Sequence, residues 1–277
     1  MCVTVARGKL SNTIVLAAQA RVNGGMRHVM GYQNRPLTRR GPNAMILPVP
    51  ALPGTLTPEA MILTEDFPHI LDDMVMSMRP TVASRVAVDA LSVHEVVVFE
   101  HGIYTVVLAQ HAGAIPSAYP LVPERKRPPL NPKLFAAYDE WYPDWPVLVC
   151  CFDNEDAQQS EPILLTYQPR SPDVLFFPAL DCHTGKVPRR RAKVLVDHDL
   201  VFSTLDMPHG MPVHYRDDIP GDVRSILPDE VLGIGYQRVD MPNGDWVVPV
   251  DAINEDRWKQ TDFWWRETRL PPPHTAM

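Results

Sequence analysis

Residues 12–34, NTIVLAAQARVNGGMRHVMGYQN, decide the fold. An apolar run rich in β-branched residues climbs from Thr13 to Val22 and stops at the Gly24-Gly25 pair, and a second run starts at Met26. Two such runs separated by residues that accept positive φ angles make a β-hairpin. Before it, MCVTVARG opens with a β-branched alternation of its own, after which Leu10-Ser11-Asn12 reads as a turn. After it, GPNAMILPVPALPG (41–54) is an apolar strand closed by Pro48, Pro50 and Pro53. Proline offers a ladder no donor, so this segment leaves the sheet or runs along its edge.

The pattern continues downstream. Strands are expected at SRVAVDAL, HEVVVFEH and IYTVVLAQH, the last two joined across Gly102, and then at WPVLVCCF, PILLTYQP, DVLFFPAL and KVLVDHDLVF. Asn-Gly in Pro242-Asn243-Gly244-Asp245 suits a tight turn, so a hairpin is expected between GYQRVDM and WVVPV. Helical spacing is confined to two stretches. In 66–78, Phe67, Ile70, Leu71, Met74, Val75 and Met78 share one face, with Thr64 or Asp66 as N-cap. In 131–142, Asn131 caps, Pro132 takes the first position, and Leu134, Phe135, Tyr138 and Trp141 share a face. The reading is α+β: a β-rich chain of mixed or antiparallel sheets, sandwich-like, with two or three short helices. One domain spans 1–277, with a sub-boundary in the proline-rich stretch 123–131.

Bulk properties narrow the function classes. The 45% hydrophobic and 21% charged content is that of a folded chain, and 30 prolines favour short elements and ordered loops. A net charge of −7 gives no global attraction to nucleic acid or to an anionic membrane, and no apolar run reaches the roughly 18–20 residues that span a bilayer. Arg189, Arg190 and Arg191 with Lys186 and Lys193 read as a solvated loop. Cys2, Cys150, Cys151 and Cys182 have no paired spacing, which points to a reduced compartment, and with no signal segment the expected location is cytoplasmic.

No cofactor is expected. Gly233-Ile234-Gly235 lacks the third glycine of a dinucleotide fingerprint, and Asp153–Asp156 lacks the glycine and terminal Glu of an EF-hand loop. Asp181, Cys182, His183, Asp197, His198 and Asp199 include proper zinc ligands. On a strand, however, Asp197 and Asp199 share a side and His198 faces away, so no metal is expected. His94, His101 and His111 flank a hairpin with no Ser or Cys at motif spacing and read as structural.

Chemistry is best concentrated at Cys2. Initiator methionine is commonly removed before a small residue, leaving thiol and α-amine together. An amine titrating near 8 can take the thiol proton and activate it. Val3-Thr4-Val5 would hold that residue at a sheet edge, and Gln19, Arg21 and Asn34 would supply oxyanion donors. This is the logic of cysteine N-terminal nucleophile amidohydrolases. LAAQAR (16–21) is similar to the Leu-Ala-Ala-Asn-Arg-Asp strand of such enzymes, with Gln19-Ala20-Arg21 in place of Asn-Arg-Asp.

The chain also resembles a bacterial family of unknown function whose members start at cysteine and carry a Trp-Val-Leu-Pro-Val-Pro segment. The matching residues are Ala44–Pro50, Gly102–Val107, Pro162–Tyr167 and Leu175–Pro178. That resemblance implies architecture and no activity. The alternative to catalysis is a non-catalytic β-rich scaffold that binds a small molecule or a protein. Its candidate aromatic patches are Trp141, Tyr142 and Trp145, or Trp258, Trp264 and Trp265, with a structural role in the core as the plainer reading.

Overall fold

The computed structural model describes residues 3–78, 96–158 and 161–258. Cys2, the SRVAVDAL strand and His94, and Trp264 and Trp265 lie outside them. The strands are β1 Val3–Thr4, β2 Leu10–Val22, β3 Gly25–Pro36, β4 Pro42–Pro48, β5 Met61–Ile62, β6 Val96–His101, β7 Tyr104–Ala109 and β8 Val147–Asp153. They continue as β9 Ile163–Tyr167, β10 Val174–Phe177, β11 Lys193–Val196, β12 His198–Ser203, β13 Met211–Pro212, β14 Glu230–Gly235, β15 Val239–Pro242 and β16 Trp246–Pro249. The helices are α1 Ile70–Ser77, α2 Ile115–Ala118, α3 Pro132–Trp141, α4 Gly221–Arg224 and α5 Val250–Asn254. None is long and apolar enough to cross a membrane.

A five-stranded sheet runs β1-β4-β8-β7-β6 and a seven-stranded sheet runs β13-β14-β12-β2-β3-β9-β5. The α+β, β-rich expectation is met. The five-stranded sheet is antiparallel throughout, whereas β12 lies parallel to β2 and makes the larger sheet mixed. Its central hairpin, β2–β3, turns at Asn23 and Gly24, both at positive φ (51° and 78°), with Gly25 already paired to Val22. That two-residue turn matches the right-handed twist of the strands.

One core cluster draws Val15, Ala17, Met30 and Tyr32 from the larger sheet and Val3, Ala44, Ile46 and Val149 from the smaller one. A second cluster covers the opposite face of the larger sheet, where Phe67 from the preceding turn and Ile70, Leu71 and Met74 of α1 lie against Ile14, Leu16, Ala18 and Val29. Gly31 permits that approach: a Cβ there would stand 2.8 Å from Leu71 Cδ2 and 3.0 Å from Leu16 Cβ. β8 is buried along its whole length, as its unbroken apolar run VLVCCF requires of a strand covered on both faces.

Three expectations are corrected or sharpened. The helix expected over 66–78 starts only at Ile70. Thr64 Oγ1 donates to the Pro162 carbonyl at 2.7 Å instead of capping, and Phe67 N turns back to Thr64 O, so residues 64–69 form a turn. Asp217, from far along the chain, accepts from His69 N at 3.0 Å in the cap's place. The 131–142 helix appears as α3, and Asn131 accepts from Lys133 N at 3.2 Å as its cap. The hairpin expected around Asn243-Gly244 does not form. β15 pairs with β11 and β16 with β10, and Asn243 spends its side chain on the Asp181 backbone, accepting from its N at 2.7 Å and donating to its O at 2.8 Å.

The proline-rich stretch 123–131 is tied down on several sides. Tyr119 donates to the Pro128 carbonyl at 2.6 Å, Lys126 pairs with Glu100 at 2.7 Å, and Arg125 pairs with Asp156 at 2.6 Å.

Candidate functional site

Of the residues proposed to surround Cys2, Gln19 and Arg21 share one end of β2, whereas Asn34 lies apart from them. Gln19 stands opposite His28 on β3, whereas Asn34 lies six residues further along that strand, about 20 Å at roughly 3.4 Å per residue. Gln19 is occupied at both ends of its amide: Nε2 donates to the Pro172 carbonyl at 3.0 Å, and Oε1 accepts from Leu205 N at 3.3 Å. Asn34 is buried between the sheets with Nδ2 2.8 Å from Met45 Sδ. Arg21 is exposed and, with Gln19, lines a second hollow of about 360 Å³ at the far end of β2.

The chain segment that follows Cys2 is held firmly. Val3 pairs with Ile46 and bridges Cys182, Thr4 N donates to Cys182 O at 3.0 Å, and Val5 N donates to Ala44 O at 2.9 Å. Beside it, Asp181 Oδ1 is 3.4 Å from His183 Nε2. Burial pushes the Asp181 carboxyl up to about 6 and the His183 imidazole down to about 4, a shift of each towards its neutral form. Cys182 Sγ contacts Thr184 Oγ1 at 3.1 Å. Cys150 and Cys151 are fully buried, and burial holds the Cys151 thiol up at about 12, far from a reactive thiolate. Among the described residues, no three His, Cys, Asp or Glu side chains gather as a metal would need.

Of the candidate aromatics among the described residues, Tyr142, Trp145 and Trp258 are core. Tyr142 and Trp145 are buried, Trp145 meets Phe176 edge-on at 5.1 Å, and Trp258 packs edge-on against Phe202 at 5.0 Å. Trp141 is half-buried beneath the Arg190 guanidinium at 5.3 Å.

What the structure does assemble is a crevice of about 520 Å³ beneath α1, at the end of the larger sheet where β2 and β12 begin. Its size falls within the range usual for small-ligand sites. β2 carries a register shift between Ser11 and Ile14, with Asn12 at φ 51°, so the strand bulges away and leaves the hollow. Asp197 and Asp199 line it from β12 and the residue before it, two apart on one side. His198 turns the other way into the core, edge-on to Trp246 at 5.4 Å. This is the alternation read from the sequence.

Gln33 and Arg35 reach the crevice from β3, and Asp72 reaches it from α1, 3.9 Å from Arg35. Tyr236 closes one side, its ring stacked on Trp246 at 5.5 Å. Three carboxylates and two guanidiniums, Arg35 and Arg238, thus face a hollow whose remaining walls include Ile14 and Val75. Sequence reading missed the site because its residues come from five separate stretches. The one local signal was the turn-prone Leu10-Ser11-Asn12 ahead of a strand.

No family model and no curated protein matches the chain. Solved structures do. The crystal structure of baculovirus P35 is 15% identical and matches with a TM-score of 0.42 over 73% of this chain and 67% of that one. A mutated baculovirus P35 after caspase cleavage is 11% identical and matches with a TM-score of 0.43 over 86% of this chain and 97% of that one.

Proposed function

We propose that this chain is a non-catalytic binding protein that holds a small, charged ligand in the crevice beneath α1. One observation carries the reading: charged side chains from β3, α1 and β12 converge on a single hollow of about 520 Å³, whereas Gln19 and Asn34 are committed to the protein's own backbone and core. Convergent polar groups over apolar walls orient a ligand without any reacting group. The test is to equilibrate the protein with a cellular small-molecule extract and identify by mass spectrometry what it retains. Asp199→Ala and Arg35→Ala should each weaken retention at least tenfold, and added salt should weaken it further, as for any charge-steered ligand. Retention indifferent to both substitutions would overturn the proposal.

A second reading, a cysteine N-terminal nucleophile amidohydrolase, is favoured by the firm anchoring of Val3 and Thr4 directly after Cys2. It must find its oxyanion donors elsewhere than Gln19 and Asn34. Intact mass decides its first requirement: a retained Met1 removes the α-amine base and ends it.

A further inference from the structure

The crevice beneath α1 has two banks, and strand register fixes what stands on each. Asp199 on β12 lies beside Ile14 on β2, and Ile14 lies opposite Gln33 on β3. These three make one row across the sheet, and all three line the hollow. One step along, Asp197 and Arg35 flank the β2 bulge at Asn12 and line the hollow as well. β12 and β3 are the two neighbours of β2, so the banks stand about 10 Å apart at roughly 4.8 Å per strand. Side chains rise roughly perpendicular to a sheet, which keeps their tips near that separation.

The β12 bank holds Asp197 and Asp199. Arg238 joins them, because the chain from Tyr236 to Val239 runs beside it: Tyr236 N donates to His198 O and Val239 pairs with Val196. Two carboxylates against one guanidinium leave an excess of negative charge, which suits an ammonium group. The β3 bank holds Arg35, with Asp72 above it on α1. Their contact is long, 3.9 Å, and the two side chains are 60% and 30% exposed. Such a pair is worth little and gives way to a better carboxylate. Between the banks lie Ile14 below and Val75 and Met76 above.

Hydrogen bonds of about 2.9 Å at each bank leave about 4 Å between the ligand's own charged ends. A compact molecule carrying both signs fits that gap. Resting on the binding role proposed above, we infer that the crevice takes a zwitterion of the α-amino acid class, a free amino acid or a dipeptide. Its ammonium sits on Asp197 and Asp199, its carboxylate on Arg35, and an apolar side chain between Ile14 and Val75. A ligand of one sign leaves one bank unmatched, and a site built around two charged ends rejects analogues that lack either. Binding makes and breaks no covalent bond.

The experiment titrates the full chain with leucine, phenylalanine and leucyl-leucine by calorimetry. Two analogues of whichever binds follow: the N-acetyl form, which lacks the ammonium, and the C-terminal amide, which lacks the carboxylate. Each should bind at least tenfold more weakly than its parent. Two variants, checked for folding by circular dichroism, then assign the ends. Asp199→Asn, or Asp197→Asn on the same bank, should lose the preference for a free ammonium and keep that for a free carboxylate. Arg35→Gln should do the reverse. An amide that binds as well as its parent would overturn the inference, as would variants that lose both preferences together or no binding by any of the three. A compound of a single charge sign, retained from the cellular extract through Asp199 and Arg35, would sink the zwitterion and leave the binding role standing. Nothing retained from the extract would sink both.

Discussion

Gln19 and His28, directly opposite each other on β2 and β3, donate to the same carbonyl, that of Pro172, at 3.0 and 3.2 Å. The pair fastens the loop ahead of β10 to the middle of the larger sheet. It also shows why a residue that reads as an oxyanion donor in the sequence is a structural brace in the fold.

Gln19→Ala should therefore act on stability. The substitution strips a partner from Leu205 N and one of the two donors from Pro172 O, and the loss of part-buried hydrogen bonds of this kind costs about 0.5–1.5 kcal/mol each. Urea unfolding should show a loss of that size with an unchanged slope. A loss below about 0.5 kcal/mol would mean water replaces the brace at no cost.

Stability should fall as pH drops from about 6.5 towards 4. Burial depresses the His28 and His101 imidazoles to about 4, below the 6.5 of an unfolded histidine. Between those values the unfolded chain takes up protons that the folded chain refuses. Each such histidine then removes up to about 1.4 kcal/mol per pH unit as acid is added. Asp181, raised to about 6, works in the opposite direction. Unfolding curves at pH 7, 6, 5 and 4.5 should show a shallower fall for His28→Gln, which can still donate to Pro172. Parallel curves for the two proteins would contradict the assignment.

Gly31→Ala should loosen α1. The added methyl would meet Leu71 and Leu16 at 3.0 Å or less, and overpacking of this kind costs about 1–3 kcal/mol. Hydrogen exchange should accelerate first in α1, ahead of the central strands. Uniform acceleration would show instead that helix and sheet open as one unit.

Much of this architecture was legible in the sequence because it rests on local alternation. The β2–β3 hairpin, the β6–β7 pair across Gly102, the Asn131 cap of α3 and the turn of His198 away from Asp197 and Asp199 all follow from a few neighbouring residues. The failures lie where a distant partner overrode a local preference. Thr64 reads as a helix cap but bonds to Pro162, and Asn243 reads as a hairpin turn but holds Asp181. The crevice escaped for the same reason, since nothing near Asp199 in sequence announces Arg35 or Asp72 as its companions.

The central claim is that recognition lies in that crevice and needs no thiol at position 2. It is tested most directly by comparing ligand retention from a cellular small-molecule extract by the unaltered chain, Cys2→Ala and Asp199→Ala in parallel. The account expects Cys2→Ala to retain the same compounds as the unaltered chain and Asp199→Ala to lose them at least tenfold. Retention abolished by Cys2→Ala and preserved in Asp199→Ala would contradict it.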